Sequence, residues 1–161
     1  ETLLPKYEAM GVPVRRFQPE KDYTDTEIAV KLGMELGAEK ITILGASEGN
    51  RLDHLFGNVM TMMIPAQEDI ECYMVDEHNR IRILTKPLEI PKEEQYGKYI
   101  SFVPLTTDVH GVTLEGFKYP LWDYRLNVFE TGSLGISNEL IEAIGKISFR
   151  NGILLMLECK D

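Results

Sequence analysis

The strongest constraint on the fold is a strand, a loop and a helix in immediate succession. Lys40-Ile41-Thr42-Ile43-Leu44 is a β-branched, apolar run of strand type. From Leu52 onward the apolar residues Leu55, Phe56, Val59, Met60 and Met63 fall on one face of a 3.6-residue helical period. Between them lies the loop Gly45-Ala46-Ser47-Glu48-Gly49-Asn50. A strand that runs through a glycine-bearing loop into a helix presents unpaired backbone N–H groups, which suit an anion. Arg51, Asp53 and His54 add a cation, a carboxylate and a titratable imidazole at that point.

A second charged turn precedes the first by one helix: Pro19-Glu20-Lys21-Asp22-Tyr23-Thr24-Asp25-Thr26-Glu27. Two such turns belong at one edge of an α/β sheet, where ligands collect beyond the carboxyl ends of the strands. Thr24 and Glu27 have the spacing of a capping box, so a helix is predicted from there to Gly37, burying Ile28, Leu32 and Leu36 with Ala29 alongside. Capping and dipole complementarity alone would account for Thr24, Asp25 and Glu27. Asp22 lies before the cap and repeats the negative charge, which is more than a cap requires. Arg51 has a similar plain reading as a partner of Glu48, Asp53 as a helix N-terminal acid, and His54 as a partly exposed helix residue. Gly-x-x-x-Gly is a weak signal, and no Walker-type Lys-Ser/Thr follows it. Asn50 suits a turn with positive φ. The methionines Met60, Met62 and Met63 read as core filling.

Upstream, Thr2 to Met10 reads as a helix closed by Gly11, and Val12 to Phe17 as a short strand. After Pro65 the period changes to strands. Ile70 to Val75 and Arg80 to Leu84 flank the turn Asp76-Glu77-His78-Asn79. Further strands are predicted at Tyr99 to Pro104, Val109 to Leu114, Arg125 to Val128, Lys146 to Ser148 and Ile153 to Glu158, with Asn151-Gly152 making a hairpin of the last two. The chain therefore divides into an α/β piece, residues 1–75, and an all-β piece of sandwich or barrel type, residues 76–161. About two strands before residue 66 cannot cover a parallel sheet, so the first piece reads as part of a larger α/β domain. The chain also opens on Glu1 rather than Met.

A net charge of −9 disfavours nucleic acid and anionic membrane as general partners, while a metal ion could still bridge carboxylates to phosphate. No apolar run reaches membrane-spanning length. Cys72 and Cys159 read as reduced thiols of a cytoplasmic protein, and His54, His78 and His110 have no metal-ligand spacing with them.

Three segments, in this order on this layout, resemble the bacterial members of the thiamine pyrophosphokinase (thiamine diphosphokinase) family over nearly the whole chain. Residues Pro19 to Glu27 resemble its Lys-Asp-x-Thr-Asp-x-Glu motif. Gly45 to His54 followed by Asn58 is similar to its Gly-Ala-x-Gly-Gly-Arg-x-Asp-His segment, with Asn50 in place of the second glycine. In the β piece the matches are Gly116-Phe117-Lys118-Tyr119-Pro120-Leu121 and Gly135-Ile136-Ser137-Asn138-Glu139.

The resemblance implies a partial Rossmann-like parallel α/β domain followed by a C-terminal β-sandwich. It implies transfer of a pyrophosphoryl group from ATP to the hydroxyl of thiamine, with Mg²⁺ as cofactor and AMP as the second product, in a homodimer whose site is shared between subunits. Asp22 and Asp25 would hold the metal, directly or through water. Lys21, Thr24, Arg51 and His54 would contact ATP, and Asp53 could orient Arg51, join the metal shell or draw the hydroxyl proton. Ser137 and Asn138 would contact thiamine; on local sequence they equally read as a turn or N-cap before Leu140, Ile141 and Ile144. Lys118 and Tyr119 equally read as strand surface, and Trp122 as an interface aromatic. The family also has an upstream Gly-Asp-x-Asp-Ser-type segment, beyond which this sequence begins, so it is expected to be a fragment of a longer enzyme. Two other readings stand beside this one: a binding protein without catalysis, and a metal-dependent nucleotide hydrolase using Asp53 and His54.

Overall fold

The computed structural model describes residues 3–14, 16–18, 22–47, 51–131 and 133–161. Helix α1 (Leu4–Ala9) closes at Gly11, whose φ of 78° lets Val12 N–H reach back to the Tyr7 carbonyl. Residues 12–14 and 16–18 are not in a strand, contrary to the sequence pattern; Val12 and Phe17 are exposed, and a strand needs a sheet neighbour that its own residues cannot supply. Helix α2 (Asp25–Glu35) begins where predicted, with Thr24 Oγ1 accepting from Glu27 N–H at 3.2 Å. The Glu27 carboxylate pairs forward with Lys31 at 2.8 Å. Its inward face differs from the expected one. Val30 is the buried residue, while Leu36 and Ala29 face solvent.

Strand β1 (Lys40–Leu44) leads through residues 45–47 to α3 (Leu52–Thr61) and α4 (Met63–Gln67). The helix breaks at Met62 because Pro65 has no N–H to return to the turn before it. Leu55, Val59, Met62 and Met63 face the core, whereas Phe56 and Met60, predicted to be buried, lie on the outer flank of α3. Strand β2 (Glu71–Val75) then pairs parallel with β1, Leu44 opposite Val75, completing a β-α-β unit.

The remaining strands are β3 (Asn79–Leu84), β4 (Leu88–Pro91), β5 (Tyr99–Pro104), β6 (Asp108–Glu115), β7 (Leu121–Asn127), β8 (Asn138–Glu139), β9 (Ile144–Ser148) and β10 (Leu154–Cys159). They form two sheets. The larger has the order β1-β2-β3-β10-β5-β8, and the smaller β4-β9-β6-β7. The turn at residue 76 thus falls inside one continuous sheet.

Two cores follow from the two faces of that sheet. Leu84, Ile100, Phe102, Leu154 and Met156 pack against Ile90, Val112, Leu114, Leu126 and Ile147 of the smaller sheet, with the Phe102 and Phe117 rings edge to face at 5.7 Å. On the opposite face Cys72, Met74, Ile81 and Ile83, with Leu155 and Leu157, pack on Val59 and Met62. From Leu154 to Leu157 strand β10 is apolar on both faces, so it takes a central place in the sheet. Strand β9 buries only Gly145 and Ile147 and joins the smaller sheet. Asn151-Gly152 therefore connects two sheets and is not the turn of a hairpin, a correction to the sequence reading; Gly152 makes the crossover at φ 100°. An α/β unit followed by a β-sandwich is the fold class expected.

Candidate active site

The parallel pair β1–β2 ends at Leu44 and Val75, and everything beyond those residues lies past the carboxyl ends of the strands. The chain leaves β1 at Gly45, whose φ of 69° favours glycine. Two side chains then fix the departing backbone. Asn58, buried on α3, donates from Nδ2 to the Ala46 carbonyl at 2.9 Å, and Ser47 Oγ donates to the Asp76 carboxylate from the end of β2.

Arg51 precedes the first turn of α3 and turns back on that helix. Its Nε and Nη2 donate to the two oxygens of Asp53, at 2.9 and 2.5 Å, a two-pronged carboxylate contact. Hydrogen bonding from Arg51, with its positive charge and the His54 N–H, holds the Asp53 carboxyl down at about 2, so it is ionised at any physiological pH. The Asp53 contact raises the Arg51 guanidinium in return. Both side chains remain largely exposed, so the remaining N–H donors of Arg51 face solvent beside the positive end of α3. Such an arrangement can bind phosphate.

Asp22 and Thr24 are exposed, and Asp25 opens α2, which packs against α3. The two predicted turns are therefore carried by neighbouring helices. Asp22 and Asp25 are hard oxygen donors of the kind Mg²⁺ accepts, one or two carboxylates being its usual protein share beside substrate phosphates. Among the described residues no cluster of three or more His, Cys, Asp or Glu is placed to hold a metal. Lys21, Glu48 and Asn50 lie outside the described residues.

At the far edge of the larger sheet, Ser137 sits at φ 59°, an unusual backbone for serine, with its N–H donating to Ser101 Oγ at 3.0 Å and its side chain exposed. Asn138 is 3% exposed and engaged at both ends of its amide. Its Oδ1 accepts from the Tyr119 and Glu139 N–H groups, and its Nδ2 donates to the Tyr119 carbonyl at 2.8 Å. Its side chain thus ties the 116–121 loop to β8. Lys118 pairs with Glu139 at 2.7 Å, and Tyr119 and Trp122 are exposed. The turn reading holds for Ser137 and Asn138 locally, but no helix follows; Leu140 enters the sandwich core instead.

The structure thus brings Asp22, Thr24, Asp25, Arg51, Asp53 and His54 onto the α2–α3 side and leaves Ser137 and Asn138 at the opposite sheet edge. A cleft of about 490 Å³ on the uncovered face of β1–β3 is lined by Lys40, Tyr73, Arg80, Arg82, Glu94 and Glu158 among others. None of the predicted site residues that are described lines it. Sequence reasoning missed the Asp76 contact to Ser47. The signal was the Asp-x-x-Asn turn itself, but its meaning depends on β1 and β2 being neighbours.

Known families match this chain in two blocks. Residues 1–74 match the model described as thiamin pyrophosphokinase, catalytic domain, and residues 86–154 the model described as thiamin pyrophosphokinase, vitamin B1 binding domain. The thiamine pyrophosphokinase of Bacillus subtilis is 38% identical over 146 residues, covering 90% of this chain and 66% of that protein; the chain spans about two thirds of that relative's length. Its crystal structure superposes with a TM-score of 0.88 at 35% identity, over 100% of this chain and 74% of that one. The thiamin pyrophosphokinase of Geobacillus thermodenitrificans gives a TM-score of 0.81 at 34% identity, over 99% and 72%. With these matches spanning both halves of one continuous sheet, the chain belongs to the thiamine pyrophosphokinase family.

Proposed function

We propose that the protein is a thiamine diphosphokinase: it transfers a pyrophosphoryl group from ATP to the hydroxyl of thiamine, giving thiamine diphosphate and AMP. The observation that carries this reading is the Arg51–Asp53 fork at the start of α3, beyond the carboxyl end of β1. The hydroxyl oxygen of thiamine attacks the β-phosphorus, a new O–P bond forms, and the bond to the AMP oxygen breaks. Charge grows on phosphate oxygens, so the protein's task is to position and to stabilise charge. Arg51 binds a phosphate through its remaining N–H groups while Asp53 keeps its plane fixed. His54 and Thr24 contact the nucleotide, and Lys21 is assigned the same role. Mg²⁺, when bound, neutralises phosphate charge, and Asp22 and Asp25 would hold it. Asp53, already committed to Arg51, fits orientation better than proton abstraction.

The site is completed by a second copy of the chain. Arg51 lies past β1 and Ser137 beside β8, at opposite edges of a six-stranded sheet. Five inter-strand steps separate those edges, roughly 24 Å. One chain cannot close that distance around one thiamine molecule. Exposed apolar residues, Leu134 and Ile136 just before Ser137 and also Trp122 and Phe129 (86% exposed), supply surface suited to a homodimer contact. Ser137 would offer its hydroxyl to thiamine, and Asn138 would hold Tyr119 and the loop around it. The division at residues 75 and 76 then separates an ATP-and-metal half from a thiamine-and-dimer half. Among the described residues no helix is long and apolar enough to cross a membrane. We place the enzyme in the cytoplasm on its two free cysteines.

Product analysis of the full chain with ATP, Mg²⁺ and thiamine tests the reading. AMP and thiamine diphosphate in equal amounts are expected. Thiamine binding without product would establish the binding protein instead, and ADP with phosphate, independent of thiamine, the hydrolase.

A further inference from the structure

The loop that leaves β1 carries the phosphate site, yet the sheet ladder stops before it begins. Leu44 and Val75 are the last residues in register. Beyond them, two side-chain contacts hold the described residues of the loop: Asn58 on the Ala46 carbonyl and Asp76 on the Ser47 hydroxyl. Arg51 follows four residues after Ser47.

Asp76 is itself held firmly. Its Oδ1 accepts from the backbone N–H groups of His78 and Asn79, both at 2.7 Å, and from Asn79 Nδ2 at 3.1 Å. Its own N–H donates to the Asn79 carbonyl, and the Tyr96 hydroxyl donates to its carbonyl. These bonds close the β2–β3 turn around Oδ1 and turn Oδ2 toward Ser47, with Asn79 Nδ2 bracing it at 3.1 Å. A carboxylate next to an anion site would ordinarily repel the ligand. Here five hydrogen-bond donations hold the carboxylate and fix the direction of both its oxygens.

We propose that Asp76 is a positioning residue for the nucleotide: through Ser47 it fixes the end of β1, and thereby the place from which Arg51 reaches the phosphates. The proposal rests on the reading of the Arg51 loop as the ATP site. It assigns Asp76 no contact with substrate. It also gives the Asp76-x-x-Asn79 turn a task that turn formation alone does not need, since Oδ1 suffices for the turn.

Three variants of the full chain separate these roles: Ser47→Ala, which spares the turn; Asp76→Ala, which removes both contacts; and Asp76→Asn, whose amide can still bond the Ser47 hydroxyl. ATP binding with Mg²⁺ is measured by calorimetry and thiamine KM by steady-state assay, with thermal melting as the control for folding. Ser47→Ala and Asp76→Ala are each expected to weaken ATP binding about 5- to 10-fold, the loss of one hydrogen bond. Thiamine KM should stay within about 2-fold, and Asp76→Asn should recover most of the loss. The double variant Ser47→Ala/Asp76→Ala should be no worse than the weaker single one, because both remove the same contact. Should Asp76→Ala fail to fold, Ser47→Ala and Asp76→Asn carry the comparison. Unchanged ATP affinity in folded Ser47→Ala overturns the proposal, as does an equal loss for ATP and thiamine. A wild-type chain that binds no ATP overturns the underlying reading of the site, and the proposal with it.

Discussion

Replacing Glu158 by glutamine probes the join between the two halves of the chain. Glu158 sits on β10, directly opposite Arg80 of β3 in the middle of the larger sheet, with 1% of its side chain exposed. Its Oε2 accepts from Arg80 Nε at 2.5 Å, and its Oε1 from Arg80 Nη2 at 2.8 Å and Tyr96 N–H at 3.0 Å. Arg80 is 26% exposed, and it lies between the rings of Tyr73 and Tyr96 at 5.7 and 5.5 Å. Glutamine has the right shape but places an NH₂ against a guanidinium, so one bond is lost and the other keeps the charge of Arg80 alone. Removing one partner from a buried pair costs about 3–5 kcal/mol. Water reaches part of Arg80, which places this case at the low end, about 3 kcal/mol. For a chain of this size that corresponds to a fall in melting temperature of about 6–12 °C. Thermal and urea unfolding followed by far-UV circular dichroism measure it. The double variant Arg80→Met/Glu158→Met should lie well above the sum of the single losses, because no charge is left stranded. A single-variant loss below about 1 kcal/mol, or a double variant as poor as that sum, would refute the account of this pair as a mutually dependent buried unit.

In the full chain, Asp22→Asn and Asp25→Asn should each lower turnover at saturating substrates by about 10²-fold or more while melting temperatures stay close to wild type; normal turnover in both would remove these carboxylates from the metal site. A shared site predicts complementation: Arg51→Ala and Ser137→Lys, each inactive alone, should recover about one quarter of wild-type activity when mixed, since half the dimers are hybrid and each hybrid carries one intact site. No recovery after subunit exchange would place both residues in one chain's own site. The pH dependence has a definite sign. Hydrogen bonds from Asn127 and Arg125 lower Asp108, Lys118 lowers Glu139, and at Asp76 burial pushes upward but the bonds from Ser47, Asn79 and the turn amides outweigh it. Each folded-state value therefore lies below the unfolded one of about 4, so the unfolded chain binds more protons there and stability falls as pH drops from about 5 through the folded values. Urea midpoints at pH 7 and pH 3 should differ less for Asp108→Asn than for wild type; an equal difference would show that Asp108 does not contribute.

Local features were legible in the sequence, and long-range choices were not. Thr24 capped α2 and the alternating strands of the β half emerged as read, because each depends on neighbours in sequence. Leu88–Pro91 was missed because it is short and set among prolines, and β8 because it has two residues. Asn151-Gly152 has hairpin chemistry, but the partners of β9 and β10 were decided by how many of their faces are apolar. Phe56 and Met60 satisfy a helical period yet lie outside the stripe that meets the sheet. At the site, the Arg51–Asp53 fork spans two residues and could be anticipated. The bonds from Asp76 to Ser47 and from Asn138 to Tyr119 join residues far apart in sequence, and only the assembled sheet reveals them.

The place of β10 has a consequence for how the molecule comes into being. Among the described residues, the strands of residues 40–75 connect to the rest of the sheet only through β3, and the other neighbour of β3 is β10, which follows every other strand in sequence. During synthesis, β3 therefore waits with an open edge until residue 159 has left the ribosome, and the slot between β3 and β5 stays empty until then. Loss of residues 154–161 would not shorten a tail: it would remove a middle plank, parting β1, β2 and β3 from β5 and β8.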